Sequence, residues 1–131
     1  MLSLADTLPR VLPLSRYLAQ LLTATPALNA DLAAGWDRML TAETLRGFLP
    51  ASIGEDTLKP VLRHLKQRAY VRIVTRDLAG LASLAEVTES MTLIAEIAVE
   101  TALVTLTPAL AARHGVPRNK KGEEQRLLVI G

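Results

Sequence analysis

The chain has 131 residues, of which 50% are hydrophobic, a formal charge of +2 and no cysteine. This length suits one domain with its own core. The lack of cysteine excludes disulfides and thiolate metal sites, and so mild a charge does not by itself call for nucleic acid. Leucine and alanine supply most of the hydrophobic residues and aromatic residues are scarce, so the composition predicts an all-α fold of closely packed helices.

The first fifty residues predict three short helices, each bounded by a proline, a glycine or a hydroxyl side chain. Their expected ranges are 8–24, 26–34 and 42–49. Pro13 is expected to bend the first helix, and Gly35 to end the second. Thr41 is the expected N-cap of the third, because its hydroxyl can accept a free backbone N–H of the first turn.

Two long helices follow, separated by only a few residues. The first, residues 57–79, is expected to begin at a cap supplied by Asp56 or Thr57. The second, residues 84–114, opens on the sequence SLAE at 83–86, the pattern of a capping box in which the serine caps the helix and the glutamate reaches back. Because the connection is short, the two are expected to form a long antiparallel hairpin within a helical bundle.

The second long helix is apolar on most sides. A narrow polar strip interrupts it, formed by Glu89, Thr92, Glu96 and Glu100. A helix of this kind is normally buried by several neighbours, so we predict that it lies at the centre of the bundle. Its acidic residues leave no uncharged run of about 18 apolar residues, so no membrane span is expected. With no basic, signal-like N-terminus visible, we expect a cytoplasmic location.

The C-terminal residues follow a different pattern. A polar loop at 115–125 leads into RLLVIG at 126–131, a short apolar run that is typical of a buried strand reaching a glycine. A single strand is not stable alone in water. We therefore predict a helical domain over 1–125, followed at 126–131 by the first strand of a second domain that is cut where it begins.

A basic row marks the first long helix. Between Lys59 and Arg76 the chain has six lysines and arginines and no acid. Arg68, Arg72 and Arg76 recur every four residues and so share one helix face. Two interpretations stay open: a solvated face partly neutralised by carboxylates of the next helix, or a surface for an anion or an acidic partner. Nucleic acid is disfavoured, since no aromatic residues interleave for stacking.

No residue pattern predicts catalysis or metal binding by this chain. Glu96 and Glu100 lie one helical turn apart, and buried carboxylates at that spacing can transfer protons, although surface acids are the simpler interpretation. The hairpin would place Glu100 level with Arg63, so we expect an ion pair there. His64 and His114 have no zinc-like spacing, and no nucleophile elbow, P-loop or dinucleotide fingerprint is present.

One stretch resembles a known family. Residues 62–80, LRHLKQRAYVRIVTRDLAG, followed by LASLAEVT, a long helix, AARHGVP and RLLVIG, closely resemble the N-terminal, adenylyl-removing half of the glutamine synthetase adenylyltransferase family. That family reads approximately LRIAWRDLAGL where this chain reads VRIVTRDLAGL. Two positions depart from the family pattern: Leu65 stands in place of a typical aromatic residue, and Thr75 in place of a tryptophan.

The resemblance implies that the final strand begins a nucleotidyltransferase domain of the DNA polymerase β type, whose Gly-rich turn and Asp-x-Asp strand would come next. Gly131 matches the first glycine of that turn, which implies a nucleotide-binding position where the backbone approaches phosphate closely. Mg²⁺ and ATP or phosphate would be bound by the full-length enzyme, through residues that this chain lacks. No cofactor or metal ligand is therefore expected in the chain itself.

The family attaches AMP to a tyrosine of glutamine synthetase and removes it by phosphorolysis, and glutamine and the PII signalling protein set the balance. By resemblance, the partners of the full-length enzyme are glutamine synthetase and PII, with no nucleic acid and no membrane. This chain would be a helical scaffold packed against the catalytic domain and inactive alone. The alternative is a stand-alone interaction module that binds an acidic protein through Arg68, Arg72 and Arg76.

Overall fold

The computed structural model describes residues 2–130, which form α-helices and contain no strand. The helices are α1 Leu4–Val11, α2 Arg16–Ala24, α3 Ala27–Ala33, α4 Ala42–Gly47, α5 Leu58–Leu78 and α6 Leu84–His114. The predicted all-α class is confirmed for this part of the chain. The range of α6 is the predicted one, and α5 is one residue shorter at each end than expected.

The predicted first helix is two helices. Each begins at a serine: the hydroxyls of Ser3 and Ser15 both accept a backbone N–H three residues ahead, at 3.1 Å. Between them Leu12–Leu14 form a short 3-10 turn that contains Pro13. Proline has no N–H to continue the α-helical pattern, and Ser15 supplies a new cap, so the chain ends one helix and starts another instead of bending.

The local end signals of the later helices are mostly confirmed. Thr41 caps α4 through its hydroxyl, and Gly80 follows the end of α5 with a positive φ of 72°, a conformation that glycine adopts without steric cost. The start of α5 differs from the prediction. Thr57 occupies the cap position, but its hydroxyl accepts the N–H of Gly54 at 2.9 Å instead of an N–H of the helix.

The central helix is α5, which packs against α1, α2, α3 and α6. One core cluster joins α5 to α1, α2 and α3. It consists of Val11, Leu18, Leu21, Leu22, Leu28, Leu32, Trp36 and Val71. The other joins α5 to α4 and α6 and consists of Leu40, Leu45, Leu65, Ala69, Ile73, Ile94 and Ile97. Both clusters take residues from α5, so this helix connects the two parts of the core.

The prediction that the most apolar helix lies at the centre is wrong. The buried residues of α6 fall on one face, namely Ser90, Ile94, Ile97 and Thr101. Apolar side chains on other sides stay open to solvent, such as Leu84, which is 82% exposed, and Val99, which is 37% exposed. An apolar surface around most of a helix indicates partners on several sides, and residues 2–130 supply partners for only one side.

By length and composition alone, α6 is the one helix among the described residues that could cross a membrane. Its most apolar 18-residue window has a mean hydropathy of 1.6 and is 17% buried. Core helices of soluble proteins can have the same length and hydropathy, so these two properties alone are weak evidence for a membrane span. The expectation that the chain makes no membrane contact stays a prediction.

The residues after α6 form a loop and an exposed apolar tail. Gly115 ends the helix with a φ of 78°, and a single antiparallel bridge joins Arg118 to Glu124. Of the strand predicted at 126–131, residues 126–130 are described and do not form a strand, because the described residues contain no second strand to pair with them. The tail is 74% exposed at Leu127, 80% at Leu128, 58% at Val129 and 93% at Ile130.

Candidate functional site

The row of arginines on α5 faces the inside of the fold. Arg72 and Arg76 are each only 7% exposed, and the side chain of Arg68 is 25% exposed. The row is therefore not a solvated face, although the expected carboxylate of the next helix, Glu86, does neutralise one of its charges; the anion-surface interpretation stays a prediction. Carboxylates from other segments balance most of its charge.

Arg68 joins α5 to α3. Its Nε donates a hydrogen bond to Asp31 Oδ2 at 2.9 Å, and its Nη2 donates to Oδ1 of the same carboxylate. The guanidinium carbon also lies 3.8 Å from the centroid of the Phe48 ring. A planar guanidinium suits both contacts, since it binds a carboxylate at two points and stacks on an aromatic face. The pair thus ties α3 and the residue after α4 to the central helix.

Arg76 connects three segments of the chain. Its Nε donates to Glu86 Oε1 at 2.6 Å and its Nη2 donates to Oε2 at 3.2 Å, which joins α5 to α6. Its Nη1 donates to the carbonyl oxygen of Trp36 at 3.2 Å, in the connection between α3 and α4. A buried charge is tolerated only when it is paired and hydrogen-bonded in this way.

The same ion pair corrects the predicted capping box. Ser83 does cap α6, because its hydroxyl accepts the N–H of Glu86 at 3.1 Å. The carboxylate of Glu86, however, is bound at both oxygens by Arg76 and does not reach back to the cap. The glutamate of this local pattern therefore serves a tertiary contact, which the spacing of SLAE alone does not reveal.

Arg72 is the member of the row without an acidic partner. Within residues 2–130 its guanidinium makes no hydrogen bond or ion pair. Burial is the main cause that lowers the pKa of Arg72; the Asp31 carboxylate raises it, and nearby arginines lower it further. The guanidinium lies directly against Gly35, where a Cβ atom would be 2.6 Å from Cζ of Arg72. Only glycine leaves room for this contact.

The candidate acid–base pair lies in solvent. Glu96 and Glu100 are both exposed, and Glu100 accepts a hydrogen bond from Nη2 of Arg46 at 3.0 Å. The predicted ion pair of Glu100 with Arg63 is wrong, because α4 packs against α6 and supplies Arg46 instead. Exposed carboxylates lack the sheltered surroundings that tune a group for proton transfer.

Residues 2–130 contain no cluster of three or more His, Asp or Glu side chains placed to hold a metal ion. A concavity between Arg72, Arg76 and Glu86 leaves no volume for a water molecule. The nucleotide-binding role expected for Gly131 falls on a residue outside the described part of the chain, so it stays a prediction. The main polar feature of the described residues is therefore two separate ion pairs on α5, the half-buried Arg68–Asp31 and the more deeply buried Arg76–Glu86.

Comparison with known proteins identifies the family. Residues 5–131 match the family model described as glutamate-ammonia ligase adenylyltransferase. A protein from Aromatoleum aromaticum, named bifunctional glutamine synthetase adenylyltransferase/adenylyl-removing enzyme, is 40% identical over 129 residues, which cover 98% of this chain and 14% of the relative. No solved structure matched the chain.

Proteins of the same name from other bacteria are similar to this chain to the same degree. The one from Burkholderia mallei is 41% identical over 127 residues, with 89% of this chain and 13% of the relative covered. The one from Nitrosomonas eutropha is 36% identical over 133 residues, with 96% and 14% covered. The chain thus spans about 14% of the length of these relatives. The resemblance seen in residues 62–80 is confirmed, and the chain belongs to the glutamate-ammonia ligase adenylyltransferase family.

Proposed function

We propose that this chain is a helical scaffold within an enzyme that attaches AMP to glutamine synthetase and removes it, and that the chain is inactive alone. The family and the names of the relatives support the activity of the whole protein. The chain covers about 14% of such a relative, so the reaction centre is expected in the remaining length. The observation that carries the scaffold role is the uncovered side of α6.

α6 bears a second apolar row, here called the outer stripe, on the side away from its buried face. Its members recur at intervals of three, four or seven residues and are Leu84, Met91, Ala95, Val99, Ala102, Leu106 and Leu110. They are 82% exposed at Leu84, 40% at Met91, 37% at Val99 and 50% at Leu110. A long continuous apolar stripe is the packing face of a helix that has a partner there. In this proposal the partner is the catalytic part of the enzyme.

The contacts between α5 and α6 support an antiparallel hairpin that presents this stripe. Arg76, late in α5, bonds Glu86, early in α6, whereas Leu65, further back in α5, shares a core cluster with Ile94 and Ile97. Contacts that run in opposite order along the two helices are those of an antiparallel pair.

The exposed tail fits the same proposal. Residues 126–131 would become the first strand of a nucleotidyltransferase domain once the other strands of that domain are present to pair with it. Mg²⁺, ATP and phosphate would bind in that domain, and PII would act on the whole enzyme, in the cytoplasm. The chain described here would hold the domain in place.

The stand-alone interaction module is not favoured. It needs Arg68, Arg72 and Arg76 on an open surface for an acidic protein. Two of the three are already paired within the fold, with Asp31 and Glu86, and Arg72 is buried.

The first test concerns activity. The isolated chain should neither transfer AMP to glutamine synthetase nor release AMP from its adenylylated form, because no metal-binding carboxylate cluster lies within residues 2–130. Incorporation of labelled AMP and phosphate-dependent release of ADP would be measured beside a mock preparation. Turnover above the mock level would refute the inactivity of the chain.

The second test concerns the outer stripe. In the full-length enzyme, Val99→Glu should lower adenylyl removal by roughly tenfold or more, because a charge placed in an apolar interface costs a few kcal/mol. In the isolated chain, where Val99 is exposed, the same change should alter the free energy of unfolding by less than about 0.5 kcal/mol.

Thr107→Glu is the matched control, since Thr107 is also an exposed, β-branched residue of α6 but lies off the stripe. It should leave both the activity and the stability unchanged. Equal losses of activity in the two variants, or no loss with Val99→Glu, would contradict the proposed packing of the catalytic part on α6.

A further inference from the structure

The outer stripe of α6 has the residue spacing of a two-helix seam. Ala95, Val99, Ala102 and Leu106 follow one another at intervals of four, three and four residues. All four side chains are exposed or only half-buried. An alternation of three and four residues averages 3.5, a period that keeps one row of side chains facing a single partner helix along its length. The spacing therefore points to a helix as the occupant of the stripe.

Two carboxylates border the outer stripe on one side. Glu89 and Glu96 are seven residues apart, and Glu96 directly follows Ala95 of the stripe. In a seam of this register, both occupy the position beside the apolar row whose side chain meets a charged side chain of the partner helix. Both glutamates are exposed. An open depression of about 690 Å³ runs along this edge from Leu84 to Glu96, so long side chains of a partner have room to reach them.

The fold supplies no cation for these two carboxylates. Glu100, on the side of α6 that faces α4, pairs with Arg46. Among residues 2–130, neither Glu89 nor Glu96 forms an ion pair, and α6 has no lysine or arginine before Arg113. Water solvates both charges while the stripe is open. An apolar partner that covers the stripe would bring them to the rim of an interface, where opposite charge on the partner is favourable.

We propose that the outer stripe is covered by a helix of the catalytic part that has a basic flank, meaning a lysine or arginine placed opposite each of Glu89 and Glu96. This inference rests on the proposed function and adds the secondary structure and charge of the docking surface. Lysine and arginine suit the edge because their stems cover apolar surface while their charges reach the carboxylates. A second copy of α6 fits less well: run antiparallel, its glutamates would face Glu89 and Glu96, and run parallel, uncharged residues such as Met91 would.

The test reverses both charges in the full-length enzyme. Glu89→Lys combined with Glu96→Lys should lower adenylyl removal by roughly fivefold or more, because two lysines would then face the basic flank. Raising the salt concentration from about 0.05 to 0.5 M should recover part of this loss relative to wild type, since salt screens repulsion between charges near a surface. In the isolated chain, where both glutamates are exposed, the same double variant should change Tm by less than about 2 °C.

Glu43→Lys combined with Asp56→Lys is the matched control. It makes the same change in net charge at two exposed acids that lie outside α6 and form no ion pair within the described fold. The control should leave adenylyl removal unchanged. Equal losses in the two double variants, no loss with the reversal at Glu89 and Glu96, or a loss that salt does not relieve would each overturn the basic flank.

Val99→Glu distinguishes a failure of this inference from a failure of the proposed function. If Val99→Glu lowers adenylyl removal and the charge reversal does not, the catalytic part docks on α6 without a basic flank, and this inference alone is wrong. If Val99→Glu has no effect, the docking is wrong and this inference with it. Sedimentation of the isolated chain should show a monomer. A dimer that Val99→Glu dissociates would give the outer stripe to a second copy and overturn the inference.

Discussion

Replacing Arg76 by methionine is expected to lower the free energy of unfolding by about 3–5 kcal/mol, the range for removing one partner of a buried ion pair. Methionine keeps most of the apolar stem, so the loss reports on the guanidinium. The change leaves the carboxylate of Glu86, whose side chain is 16% exposed, without a partner. It also removes the hydrogen bond to the carbonyl oxygen of Trp36. The side chain at position 76 would then no longer link α5 to α6 or to the connection between α3 and α4.

Urea unfolding followed by circular dichroism measures this loss. Arg46→Met is the matched control, because its ion pair with Glu100 joins α4 to α6 but both side chains are more than half exposed; its expected cost is about 0–1 kcal/mol. Combining Arg76→Met with Glu86→Leu should recover much of the stability, since two apolar groups then replace the pair. A loss at Arg76 no greater than at Arg46 would mean that the buried pair contributes little.

Leu65→Ala is expected to have an effect of similar size, about 2–5 kcal/mol. Leu65 is 1% exposed and lies in the core cluster where α4, α5 and α6 meet. Truncation removes its apolar contacts and leaves a cavity that rigid neighbouring helices fill only in part. Alanine is a good helix former, so the loss would come from packing and not from helix propensity.

Leu110→Ala provides the comparison, since Leu110 is 50% exposed in α6 and should cost less than about 0.5 kcal/mol in the isolated chain. Both variants would be measured by chemical denaturation, with the slope of the transition unchanged if the unfolded state is unaffected. A cost below about 1 kcal/mol at Leu65 would show that this region of the core relaxes around the cavity.

Helix ends were the most predictable feature, because their signals are local. Thr41 and Ser83 cap the helices that their positions indicate, and Gly80 and Gly115 adopt the positive φ that ends α5 and α6. The start of α1 at Ser3 was missed, although SLAD at 3–6 has nearly the same spacing of groups as SLAE at 83–86. The same local pattern therefore marks the start of both helices.

Residue spacing alone did not predict whether the arginine face of α5 points to solvent or to the interior. Arginines four residues apart share a helix face whether that face is exposed or buried. Whether the face is buried depends on acidic residues that are distant in sequence. Arg68 meets Asp31, 37 residues away in sequence. In the same way α4, and not α5, supplies the partner of Glu100. The apolar surface of α6 fits a central helix or a helix with a missing partner, and only the packing of the other helices distinguishes these.

The two positions expected from the resemblance to depart from the family pattern both fall in the core. Leu65 is 1% exposed and Thr75 is fully buried, with the Thr75 hydroxyl donating a hydrogen bond to the carbonyl oxygen of Val71 at 2.6 Å. Smaller side chains at two buried positions require neighbours to pack differently around them. The resemblance therefore identified the family correctly, while the contacts at these two positions had to come from the structure.

The sharing of α5 by both core clusters has a consequence for how the chain comes apart. Val71 lies in one cluster, and its near neighbours Ala69 and Ile73 lie in the other. If this helix unwinds to release either cluster, it exposes both to water. The two halves should consequently melt as a single cooperative unit, so a protease that severs the chain between α4 and α5 would leave neither piece with a complete interior.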